Sequence, residues 1–113
     1  MAKGGNVKYS DLVKTVMETR ELLEKFEQKS TGKKWGNEEL LIGLVTDVGD
    51  LARLILAKEG YRSVGKDLHK ALRHELADCF WAIIVLSENY NVNLPEALKE
   101  MSADLEEKLK DFK

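Results

Sequence analysis

Residues 40–54, LLIGLVTDVGDLARL, and residues 68–90, LHKALRHELADCFWAIIVLSENY, decide the fold. In both, apolar side chains recur at steps of three and four, and neither alternates with a period of two, so both read as helices. The helix carrying the first stretch starts after Asn37, an N-cap by residue type, with Glu38 and Glu39 favoured at its positive end, and runs to about Lys58. The turn KEGYRSVGK follows, and the next helix spans roughly Asp67 to Tyr90. Upstream, a helix from about Ser10 to Gln28 carries the stripe Leu12, Val16, Leu23 and Phe26 at a spacing near 3.6. The stretch QKSTGKKWG, with Gly32 and Gly36, reads as the loop between them. Downstream, Asn91 to Pro95 break the pattern, and a last helix runs from about Leu94 to Phe112 with Pro95 in its first turn. These elements make one all-α domain over residues 1–113, a four-helix bundle with antiparallel central helices and a mobile segment at 1–8.

The central helices carry the chemistry. Asp47 and Asp50 stand three residues apart in TDVGD, and Glu75 and Asp78 stand three apart in ELAD, so each pair lies on one face of its helix. The two pairs are equally distant in sequence from about Arg62, in the turn. An antiparallel hairpin then brings all four carboxylates to one level, Asp50 facing Glu75 and Asp47 facing Asp78. Their neighbours are apolar: Leu68, Leu72, Cys79 and Leu86 around Glu75, and Leu40, Leu44, Val48, Leu51 and Leu54 around the aspartates. Like charges on a half-buried seam repel one another and lose hydration, costs that a divalent cation removes. Oxygen-only donors suit magnesium, which commonly keeps waters and substrate phosphates in its shell. A single acidic pair of this spacing is usually a solvated surface, whereas two pairs at matched distances from a turn favour a metal site, with a solvated surface as the alternative.

Composition narrows the function classes. The net charge of −2 lacks the basic excess of a nucleic-acid binder. The one cysteine, Cys79, has no partner for an internal bridge and lies in an apolar run, so it reads as a core thiol in a reducing cytoplasm. Neither a secretory signal nor a membrane span is expected, since the longest apolar run, Cys79 to Leu86, is too short. That same segment, CFWAIIVL, is apolar around the whole helix, which predicts a dimer or larger assembly.

LVTDVGDLARLI and HELADCFWAIIVLSENYNVNLPEAL resemble the two signature blocks of the MazG-like all-α nucleoside triphosphate pyrophosphohydrolases. That family carries an ExxE pair on one helix and an ExxD pair on the next, and this chain has DxxD, 24 residues, then ExxD. The similarity covers roughly Trp35 to Lys108. It implies a hydrolase acting on acid anhydrides, converting an NTP or dNTP to the monophosphate and pyrophosphate with Mg2+, or Mn2+ in its place. Carried over by position, Asp47, Asp50, Glu75 and Asp78 match the family's metal ligands and catalytic set. The resemblance also implies a homodimer or homotetramer, acting on a nucleotide rather than a nucleic-acid polymer or a membrane.

The chain departs from the family in two places. Asp47 and Asp50 stand where the family usually has Glu, with shorter reach toward a cation, and Thr46 stands where many members have a further Glu. On the last helix, Glu100 and Asp104 stand where the family often has Lys and Asn. The alternative is therefore a nucleotide-binding or regulatory protein of the same fold with weak or no catalysis.

Lys33, Lys34, Trp35 and Arg53 are the candidate substrate contacts, the cations for phosphate and the indole for a base. Lys66, Lys70 and Arg73 read as a solvated stripe, and Arg62 as a further cation in the turn. Trp81 reads as core or interface. Glu39 reads as a helix N-terminal acid, with an accessory ligand as the other possibility, and His74 as a surface residue or a partner of Asp78 four residues on.

Overall fold

The computed structural model describes residues 6–60 and 67–112, which form four helices and no strand: α1 (Tyr9–Thr31), α2 (Asn37–Lys58), α3 (Leu68–Asn89) and α4 (Leu94–Leu109). The mobility expected of residues 1–8 falls mostly on 1–5, outside the described residues, as do Arg62, Lys66 and most of the turn between α2 and α3.

The helix ends differ from the expected ones for local reasons. Ser10 lies inside α1, which Lys8 precedes in an extended conformation without a side-chain cap. α1 runs past Gln28 to Thr31 and ends at Gly32, whose φ of 76° lets its N–H reach the Gln28 carbonyl at 2.9 Å. Asn37 is not the cap of α2. Gly36 holds that position, and its N–H donates to the Glu39 Oε1 at 2.8 Å. The Asn37 side chain turns to α3 instead, where its Oδ1 accepts from Asn89 Nδ2 at 2.7 Å and fastens the start of α2 to the end of α3. The start of α2 therefore lies beside the end of α3, so the pair is antiparallel, as expected. Asp67 and Asn93 cap α3 and α4 by accepting from the N–H groups of Lys70 and Glu96.

α2 packs along α3, and α1 packs on α3 from another side. The core is small: Val16 of α1, Leu40 of α2, and Ile84 and Val85 of α3, with Tyr9, Val13, Met17, Trp81 and Leu86 against it. Trp81 is half-buried and donates its indole N–H to Thr19 Oγ1 at 2.8 Å, tying α3 to α1.

The apolar stripe expected on α1 is only half right. Val16 is buried and Leu12 half-buried, but Leu23 and Phe26 face out. The remaining buried positions of α1 are Arg20 and Glu27, a charged pair. α4 buries no residue, and only its first turn is half-buried, at Leu94, Pro95 and Ala97. Its Leu98, Met101, Leu105 and Leu109 form an open apolar stripe. No helix among the described residues is long and apolar enough to cross a membrane.

Candidate metal centre

α2 and α3 bring Asp47, Glu75 and Asp78 together. Each offers a carboxylate oxygen, and these three atoms lie within 4.8 Å of one another. All three residues are half-buried. The Asp47 carboxyl is raised, by burial first, then by Asp78 and Asp50. Glu75 is raised too, again by burial first, then by Asp50, Asp47 and Asp78. Asp78 as the strongest charged neighbour of Asp47, and Asp50 as that of Glu75, is the register that equal distances from the turn predict.

The fourth carboxylate is turned elsewhere. Asp50 pairs with the Arg53 guanidinium one turn along α2. Arg53, expected at phosphate, is therefore engaged beside the cluster, and Asp50 contributes its charge without joining the three.

The donor set fits a hard divalent cation. It is all oxygen, it carries excess negative charge, and Glu75 Oε1 is buried with no hydrogen-bond partner. A buried, unsatisfied carboxylate oxygen costs free energy unless something positive or hydrogen-bonding meets it. Asp78 has a partial answer, since its Oδ2 lies 3.1 Å from His74 Nε2. His74 is thus the intrahelical partner of Asp78. Cys79, next along α3 from Asp78, is buried, and burial together with the three acids pushes its thiol up, so it remains a neutral core group.

Beside the cluster a cleft of about 450 Å³ opens between Trp35, Glu39, Ile42, Gly43, Thr46 and Asp47. Trp35, expected at a base, lies in its wall. Glu39 is the capping acid of α2 and also faces this cleft. The two lysines are not in it. Lys34 lies over α1, beside Glu21, Glu24 and Lys25, and Lys33 is an exposed loop residue whose backbone is bonded to Thr31 Oγ1. Lys70, Arg73, Glu100 and Asp104 are exposed.

Two residues that sequence reasoning passed over belong with the cleft. Arg20 and Glu27 are only 4% and 7% exposed, and both reach the backbone of Trp35. Glu27 Oε1 accepts from the Trp35 N–H at 2.8 Å, and the Arg20 guanidinium donates to the Trp35 carbonyl. The signal was present in α1, where positions 16, 20 and 27 share one face with the charges in line behind Val16. Comparison with protein-family models and with curated proteins finds no match for the chain.

Proposed function

We propose that the chain is a magnesium-dependent nucleoside triphosphate pyrophosphohydrolase of the MazG-like type, releasing pyrophosphate from an NTP or dNTP. The observation that carries this reading is the convergence of Asp47, Glu75 and Asp78 from two antiparallel helices, with a Glu75 oxygen left unpartnered. The blocks TDVGDLARLI and HELADCFWAIIVL add the family resemblance.

Asp47, Glu75 and Asp78 would hold the cation. Magnesium, when bound, neutralises the triphosphate and favours attack by water at the α-phosphorus. The working unit in this reading is a homodimer or homotetramer, which the open apolar stripes of α2, α3 and α4 favour.

One observation favours the second reading, a nucleotide-binding protein with little catalysis. Asp50 is occupied by Arg53, so three carboxylates converge rather than four, and at positions 100 and 104 α4 has acids where the family often has Lys and Asn. Incubating the pure protein with each NTP and dNTP plus magnesium, and measuring pyrophosphate, separates the two. Pyrophosphate release that stops in chelator is the expected result. Release of orthophosphate alone, or full activity in chelator, would refute the reading. Tight magnesium-dependent nucleotide binding without product would establish the second.

A further inference from the structure

Trp35 is a loop residue treated like a core residue. The residue is 47% exposed, yet both polar groups of its backbone are held by buried charges from α1. Burying an arginine and a glutamate costs several kcal/mol per ion before their mutual attraction is counted. Here the pair lies 3.7 Å apart, with Glu24 a further 3.6 Å from Arg20, and its hydrogen bonds go to one exposed tryptophan. A loop that only had to connect α1 to α2 needs no such clamp.

The indole itself is seated on bare backbone. A Cβ at Gly43 would stand 3.3 Å from Trp35 Cζ3, so glycine is what lets the ring lie this close to α2. The outer edge of the ring, at Cζ3 and Cη2, thus approaches the helix at Gly43, and Trp35 lines the cleft. Asp47, of the carboxylate cluster, is also in the wall of that cleft, one helical turn or about 6 Å of rise beyond Gly43. A sugar spans such a step between a planar ring and a phosphate.

We infer that Arg20 and Glu27 are positioning residues that hold Trp35, over Gly43, as a preformed stacking surface for the base of the nucleotide. This rests on the pyrophosphohydrolase reading for the position of the phosphates. Stacking accepts any base, since each presents a π-face, and a surface fixed beforehand spares the ordering cost of binding. Ile42 and Thr46, on the same wall, are the side chains able to discriminate at the ring's edge.

The test compares two ligands in the presence of magnesium by titration calorimetry: α,β-methylene nucleoside triphosphates and inorganic triphosphate, which has no base. The parent binds the nucleotides more tightly. Trp35→Ala lowers that preference about tenfold or more, in keeping with one base on one aromatic ring, and leaves inorganic triphosphate within about twofold. Trp35→Phe restores part of it. Gly43→Val displaces the indole without touching the buried pair and lowers the preference as well. Arg20→Lys keeps the charge but loses the planar fork, so it lowers the preference in the parent and adds nothing in a Trp35→Ala background. An unchanged preference in Trp35→Ala, or an Arg20→Lys effect that persists without the indole, would overturn the inference. A parent that binds inorganic triphosphate but shows no preference for nucleotides sinks this inference alone, whereas one that binds neither ligand sinks the pyrophosphohydrolase reading beneath it.

Discussion

Among the described residues, Glu75 is the acid with a buried carboxylate oxygen left without a partner. It is half-buried, its Oε1 has no partner, and three other carboxylates raise its affinity for a proton. Glu75→Gln removes that charge at constant size and supplies an amide able to donate to Asp47 or Asp78. The metal-free variant is expected to gain about 0.5–2 kcal/mol of stability, the usual scale for relieving functional-site strain. It should also lose most of the stabilisation magnesium gives the parent, because that term follows ion affinity. Asp78→Asn should gain less, since it gives up the His74 pair. Thermal melts with and without magnesium read both, and a destabilised metal-free Glu75→Gln would show that no repulsive cluster exists. The pH dependence follows from the same raised carboxyls. Asp47 and Glu75 bind protons more tightly in the folded chain than in the unfolded one. Their contribution to metal-free stability is therefore greatest below roughly pH 4, the unfolded value, and is lost as pH rises through the raised folded values. The parent should lose stability relative to Glu75→Gln across that window in chelator, and magnesium should abolish the difference. Three of the four acids were legible from i,i+3 spacing and a hairpin. Asp50 was not, because a helical wheel does not say whether an aspartate meets the opposite helix or the arginine one turn along its own.

At the scale of the element, the α2–α3 hairpin was the most legible part, since two long periodic segments flank one turn and their acids fix the register. The ends were less so, because capping residues compete. Asn37 has the side chain of an N-cap, yet the Glu39 carboxylate satisfies the Gly36 N–H and Asn37 reaches across to Asn89 instead. α1 was misread along half its length, since Leu23 and Phe26 look like core while the protein buries Arg20 and Glu27. Hydrophobic periodicity has no means of ranking a buried ion pair above two exposed apolar residues. The α1–α2 loop depends on Gly32, whose positive φ a side chain would strain. Gly32→Ala should cost about 1–2 kcal/mol, read as a lower urea midpoint at unchanged slope. A midpoint equal to the parent's would mean that α1 can end without the left-handed turn.

The whole chain is larger and more open than its mass requires. Its accessible surface is 9403 Å², against about 6,300 Å² for a compact folded monomer of 12.8 kDa. Its radius of gyration is 17.3 Å, where about 13 Å is usual for 113 residues. The excess surface, roughly 3,000 Å² per chain, comes to about 6,000 Å² for two chains, at or above the upper end of what obligate homodimers bury. Much of it is apolar and ordered in stripes: Leu41, Val45 and Val48 on α2, Leu76, Phe80 and Ile83 on α3, and Leu98, Met101, Leu105 and Leu109 on α4. The run CFWAIIVL pointed to this, because α3 is covered by α1 and α2 on two sides while Phe80 and Ile83 remain open on a third. α4 gave no such warning in the sequence, where its amphipathic pattern looks like that of a helix folded back on its own bundle. A second copy of the chain is the occupant we propose for it, in keeping with the proposed homodimer or homotetramer. Light scattering at micromolar concentration should give two or four times the chain mass, with a melting temperature that rises with protein concentration. Leu105→Glu puts a charge in the middle of the α4 stripe, far from any buried residue of the protomer. If α4 is covered by a partner, that substitution lowers the mass or the melting temperature while helicity by circular dichroism is kept. If α4 stays in water, Leu105→Glu changes nothing, and the assembly must be sought on the α2 and α3 stripes instead. A monomeric mass for the parent would remove the assembly altogether.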